Sequence, residues 1–227
     1  MMNKFINTIK KKTNKSKFIF GQTQVFLKDP LPEHVTISEL SARIESLLPT
    51  RLLSNIDMIY IGQFDVLEDR EVNALYADGA IYVTNDQVDI ADMLDDVIHE
   101  IAHSLEEEFS MDIYGDSEIQ NEFLGKRMRL KSIIANQGFN LGVKNYDFLD
   151  PEYSSELDSF FYKEIGYPLL TSMTRGLFNS AYACTSLREY FANGFEAFYL
   201  GDRNYLNTIS PNLYKKITNL HNIGEKL

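Results

Sequence analysis

The amino-acid sequence predicts an α+β fold: a small mixed sheet and a long helix in an N-terminal lobe, then a mainly helical C-terminal lobe. Three observations predict it. Apolar residues recur at helical spacing from Leu40 to Leu48. Short runs rich in β-branched and aromatic residues follow, two of them joined at Ala77-Asp78-Gly79. From Val88 onward the period returns to that of a helix. A length of 227 residues suits one domain in two lobes, and a 44% hydrophobic share can fill a sizeable core, which excludes global disorder.

The elements follow in order. Residues 1–20 read as a basic flexible tail and 21–227 as a single domain, with an N-terminal lobe at about 30–110 and a helical lobe at about 111–227. Pro30 and Pro32 deny helical continuity and mark a boundary. Thr36-Ile37-Ser38-Glu39 is a capping box that opens a helix carrying Leu40, Ile44, Leu47 and Leu48, and Pro49 follows its end. Ile56 to Phe64 reads as a strand. Val72 to Tyr76 and Ala80 to Val83 read as a hairpin, since Asp78-Gly79 tolerates the positive φ that a tight turn needs. A long helix spans about Val88 to Phe109, with Ile90, Leu94, Val97, Ile98, Ile101 and Leu105 as its apolar stripe. Asp89 and Asp92 sit at its positive end. Ser117 with Gln120 opens a helix running to Asn136, closed near Gly138. Ser155 to Ile165 is another, stopped by Gly166 and Pro168, and Ser186 to Leu200 ends at Gly201.

The formal net charge is -11, which argues against nucleic acid as the main partner. Six Lys and no acid lie between Met1 and Lys17, so a +6 tail precedes a body of -17. That tail is a solvated arm, or one that contacts an acidic surface. It lacks the apolar core of a secretory signal, and no run approaches the ~20 apolar residues of a membrane span. A single Cys excludes an internal disulfide and a thiolate zinc cluster. These features point to a cytoplasmic protein, or to one delivered as a toxin or virion component.

Chemistry enters with His99-Glu100-Ile101-Ala102-His103, an HExxH inside the long helix. Two His four residues apart share one helix face, so both imidazoles can reach one metal ion. The Glu beside the first can deprotonate a water that the metal activates. Burying two His without a metal would require partners for four ring nitrogens. A catalytic zinc needs a third protein ligand. The metzincin extension is absent, because its Gly and His positions hold Glu106 and Phe109. His34 and His221 lack a supporting pattern. Glu189 is one candidate, in Ser186-Leu187-Arg188-Glu189-Tyr190-Phe191-Ala192-Asn193-Gly194. Ser186 and Glu189 also form a capping box, so pattern alone leaves Glu189 equally a ligand or a cap. Asp112, nine residues after His103, competes.

The stretch from Tyr182 through Cys184 and Glu189 to Ala192 resembles that of gluzincin-type zincin metallopeptidases, in particular the anthrax lethal factor catalytic domain and the Pro-Pro endopeptidases. The resemblance covers roughly residues 55–110 and 178–200. It implies a zinc-dependent endopeptidase with one zinc held by His99, His103 and Glu189 and a polypeptide substrate. Glu100 is then the general base. Tyr182, seven residues before the Glu ligand, is the oxyanion donor. In these families the strand before the active-site helix is an edge strand that receives substrate, which places Ala80 to Thr84 there.

Two departures stand out. The gap from His103 to Glu189 is 86 residues, so the helix at 117–136 looks like an insertion. Asn193 stands where an acid usually buttresses a ligand His; its amide oxygen can accept from an imidazole, but without charge. Glu196, further along, is an alternative acceptor. These departures sustain a rival reading, a zincin-like binding or assembly module without turnover. Cys184 has no His near it in sequence and reads as a buried thiol. Lys126, Arg127, Arg129 and Lys131 read as a solvated basic face, and Phe160-Phe161-Tyr162 as core.

Overall fold

The computed structural model describes residues 16–142 and 146–225. Contacts divide the chain into two units, Met1–Glu100 and Ile101–Leu227. No helix among the described residues is long and apolar enough to cross a membrane.

The first unit holds a five-stranded mixed sheet with strands β1 (Ser16–Ile19), β2 (Thr23–Leu27), β3 (Met58–Ile61), β4 (Ala74–Ala77) and β5 (Ala80–Val83). Their order is β1-β2-β3-β5-β4, with β2, β3 and β5 parallel and both outer strands antiparallel. Alternation decides which side chains go inward: Ile59, Ile61, Ile81 and Val83 are fully buried, whereas Tyr60 and Tyr82 stack on the other face at 5.2 Å. The Asp78-Gly79 turn forms as expected, with φ of 48° and 78°. α1 (Ile37–Leu47) packs on β1, and the Thr36 hydroxyl accepts from the Glu39 N–H at 3.2 Å, the cap read from sequence. A short α2 (Asp65–Arg70) lies between β3 and β4.

Two expectations for this unit change. β5 lies between β3 and β4, so the edge strand is β4 and not Ala80 to Thr84. The hairpin places its second strand inside because that strand can pair with β3 on one side and β4 on the other. The proposed tail of residues 1–20 is too long, since Ser16–Ile19 is a strand paired with β2; the remainder, residues 1–15, lies outside the described residues. The β1–β2 turn carries Phe20 at φ 51°, with no Asn or Asp to signal it.

The HExxH helix, α3 (Ile90–Tyr114), is longer than expected. Phe109, the expected end, is instead a point of non-helical geometry (φ -106°, ψ 18°) after which the helix resumes.

The second unit continues with α4 (Glu118–Asn136), α5 (Ser155–Ser159), a π-helical turn (Phe160–Ile165), α6 (Tyr167–Thr174), a 3-10 turn (Tyr182–Cys184), α7 (Leu187–Leu200), α8 (Arg203–Ile209) and α9 (Pro211–Gly224). Its core gathers Phe123, Leu130, Phe148, Phe160, Phe161, Phe191, Phe195 and Leu213. Gly194 is required where α7 meets α9, since a Cβ there would lie 2.3 Å from Leu213. Ser117 sits at φ 61° and makes no side-chain cap, so the expected capping box at α4 does not form. Pro168 lies in the first turn of α6, where a missing N–H costs nothing, so it starts a helix as well as following one. Lys126 and Arg127 are 7% and 0% exposed and so leave the expected solvated basic face, of which Arg129 is exposed and Lys131 half-buried. Phe160 and Phe161 are core as expected, but Tyr162 is exposed.

Candidate metal centre

The site begins with the burial of α3. Val97, Ile98, Ile101 and Ala102 are wholly buried, which anchors the helix and fixes the direction of the residues between them. His99 and His103 then lie one turn apart, each partly exposed.

Glu189 arrives on the first turn of α7. Ser186 caps this helix, its hydroxyl accepting the Glu189 N–H at 3.1 Å, and the Leu187 N–H is held by the Pro151 carbonyl at 2.8 Å. The cap and ligand readings of Glu189 are therefore compatible. Its backbone is capped, while its carboxylate Oε1 lies 3.5 Å from His103 Nε2. One ligand atom each from His99, His103 and Glu189 falls within 4.8 Å of the others, a group that could hold a metal ion. Two ligands on one tetrahedral ion with bonds of ~2.0–2.1 Å stand roughly 3.4 Å apart, so the His103–Glu189 separation fits such an ion. The donor set, two imidazoles and a carboxylate without thiolate, also suits it.

Glu106, which the sequence reading passed over, organises the other side of His103. Its Oε2 is 3.3 Å from His103 Nδ1 and 2.6 Å from Arg188 Nε, and its Oε1 accepts the Tyr114 hydroxyl. Burial pushes the Glu106 carboxyl up, but the bonds from His103 and Tyr114 and the charges of His103 and Arg188 outweigh this and hold it below the usual carboxylate range. Tyr114 responds oppositely: burial and the Glu106 charge raise its phenol. Glu106 beside Nδ1 orients the His103 ring, with Nε2 directed toward Glu189. The signal was available, because Glu106 lies three residues beyond His103 on the same helix face.

Asn193 does not serve as the substitute buttress. Its amide N–H donates to the Glu189 carbonyl at 2.9 Å and its oxygen accepts the Ser180 hydroxyl. Ser180 in turn accepts the Ala183 N–H at 3.1 Å. Asn193 therefore pins the turn that carries Tyr182. That tyrosine is 37% exposed, and burial, then the charges of Glu189 and Asp158, raise its phenol.

Glu100 is 8% exposed, and its Oε2 accepts the Tyr76 N–H of edge strand β4 at 2.6 Å. Asp96, one turn before it, is pushed up to about 6, mainly by burial, against a hydrogen bond from Gln87.

The other candidates lie elsewhere. Asp112 is exposed and is not part of the metal-binding group. His34 Nε2 meets the Val88 carbonyl at 2.8 Å, and His221 sits between Tyr199 and Glu225. Cys184 is fully buried against the Ala181 carbonyl, and burial pushes its thiol up to about 12, so it is no nucleophile. Comparison with family models, with curated proteins and with solved structures finds no match to this chain.

Proposed function

We propose that this protein is a zinc-dependent endopeptidase of the zincin type, with His99, His103 and Glu189 as zinc ligands. The observation that carries this reading is the convergence of both HExxH imidazoles and the Glu189 carboxylate within 4.8 Å, with Glu100 beside the first imidazole. Zinc held there would polarise a peptide carbonyl and lower the pKa of a water toward neutrality.

The side chains of the protein then have separate tasks. Glu100, oriented by the Tyr76 N–H, takes the proton of the attacking water and passes it to the leaving amine. Tyr182 stays protonated at neutral pH, since burial and neighbouring carboxylates raise its phenol, and donates to the developing oxyanion. Glu106 and Arg188 hold the His103 ring. β4, the outer strand beside β5, offers its edge to an extended peptide. Asn193, which had favoured an inactive binding module, loses that weight because Glu106 supplies an acid to His103.

The test combines metal analysis with cleavage of a peptide pool. Wild type should bind one zinc per chain and cleave. Glu100→Ala should keep the zinc and lose cleavage by roughly 10³-fold or more. Tyr182→Phe should lower kcat by about 10²-fold at unchanged zinc content. Zinc without Glu100-dependent cleavage would favour the binding module, and no zinc in either protein would sink both readings.

A further inference from the structure

The chain between α4 and α7 presents four tyrosines to solvent. Tyr153, Tyr162, Tyr167 and Tyr182 are 54%, 59%, 36% and 37% exposed. Each leaves from a separate element: Tyr153 before the cap of α5, Tyr162 from the π-helical turn, Tyr167 from the start of α6, Tyr182 from the 3-10 turn. The rings of Tyr162 and Tyr167 are 5.7 Å apart. Exposed aromatic rings brought together in this way are suited to contact a ligand.

Asp158 lies among these residues. Its Oδ2 accepts the Tyr153 hydroxyl at 2.9 Å, whereas its Oδ1 is buried and has no hydrogen-bond partner. A covered carboxylate oxygen without a donor is costly, and such a group calls for an explanation. Tyr153, Tyr167 and Tyr182 each stand within electrostatic range of both Asp158 and Glu189, so this surface adjoins the metal centre.

We propose that Tyr153, Tyr167, Tyr182 and Asp158 form a specificity subsite for a cationic side chain, Lys or Arg, of the substrate peptide. The inference rests on the peptidase reading and extends it to a substrate class. An ammonium or guanidinium supplies both the missing donor and the countercharge for Asp158 Oδ1. Tyrosine rings attract a cation through their π faces and cover the methylene stem behind it. A neutral side chain leaves Oδ1 unpaired, and an acidic one is repelled. The chain's net charge of -11 favours the same ligands at longer range. Oδ1 is covered in this structure, so the subsite requires a neighbouring side chain to turn aside, and the half-exposed Tyr153, bonded to Oδ2, is one that can.

The test uses full-length, zinc-loaded protein and peptide pairs that differ only by Lys against norleucine, scanned through the positions flanking the cleaved bond. At one position wild type should prefer Lys about tenfold in kcat/KM, chiefly through KM. Asp158→Asn should shrink that preference to about twofold, read as the ratio of kcat/KM for the Lys and norleucine peptides within each variant. Should Asp158→Asn fail to fold, Tyr167→Leu serves, with a reduced Lys preference expected. Binding of the same pairs to Glu100→Ala, read by fluorescence anisotropy, separates the two ideas. Lys-dependent binding that Asp158→Asn abolishes, without any cleavage, would keep the subsite and remove the peptidase. Cleavage with no Lys preference, or with one indifferent to Asp158→Asn, would overturn the subsite and keep the peptidase. Neither cleavage nor Lys-dependent binding would overturn both.

Discussion

Two polar networks, one buried and one reaching the surface at Arg188, meet α7 through consecutive residues and differ in how they end. Tyr190 serves the first. Its hydroxyl accepts from Lys126 at 2.6 Å and donates to Glu122 at 2.8 Å, and Lys126 also donates to Ser210. Glu122 accepts the N–H groups of Asn212 and Leu213 in the opening turn of α9. Every link pairs a donor with an acceptor, and the chain of bonds ends on backbone that a helix start leaves unsatisfied. Arg188 and Glu189 serve the second network. Arg188 and Tyr114 donate to Glu106, and Glu106 receives His103 Nδ1. From there the network runs on to the Glu189 carboxylate, whose Oε1 is 3.5 Å from His103 Nε2. His99, His103 and Glu189 together form a group that could hold a metal ion. The first network closes on a helix start and stabilises the fold, while the second leads to clustered ligand atoms.

The largest effect should come from breaking the open end. Glu189→Ala removes one of three ligands and should lower zinc affinity by about 10³-fold or more, while its neighbour change Tyr190→Phe leaves zinc binding intact. Isothermal titration on both variants checks this, and equal zinc loss would erase the distinction between the networks. A smaller loss is expected from the support behind the ligand. Glu106→Ala should cost about 10–100-fold in zinc affinity, with Glu106→Gln recovering part of it, because an amide still orients the ring but lends no charge.

The smallest effect belongs to the closed network and depends on pH. Burial pushes Lys126 down to about 8, with the Glu122 charge acting the other way. The folded pKa thus lies below that of the unfolded chain, so the folded state holds a costly buried charge below pH 8 and sheds it first as pH rises. Stability should therefore increase between about pH 8 and 10, by on the order of 1–2 kcal/mol. Denaturant midpoints at pH 7.5 and 9.5 measure the change. Lys126→Met should lose this rise, and a rise that persists in Lys126→Met would assign it to another group.

Much of the local structure was legible in the residues. The cap at Thr36, the Asp78-Gly79 hairpin, the HExxH helix and the cap at Ser186 all form, because each depends on neighbours within a few positions. Failures cluster where distant segments decide. Ser117 has the residue type of a cap but sits at positive φ and makes no cap bond. Lys126 and Arg127 look like solvent residues, yet Lys126 is drawn inward by Tyr190 and Ser210, whose places in sequence say nothing of their position in space. The strand order could not be read from the hairpin, since pairing with β3 could have fallen to either of its strands.

For the site the division is similar. The sequence by itself determined that two imidazoles share a helix face, since a four-residue spacing is a fact of helix geometry. It also determined, through one Cys, that a thiolate zinc cluster could not form. Whether Glu189 was a cap or a ligand was open in the pattern, because both uses need the same residue at the same place. Only the tertiary structure decided that its backbone takes the cap while its carboxylate turns to His103, 86 residues away. It likewise moved the buttressing acid from α7 to Glu106 on α3, and gave Asn193 the separate task of holding the Tyr182 turn. Those assignments depend on which side chains the packed helices bring within bonding distance, and spacing along a chain carries no such information.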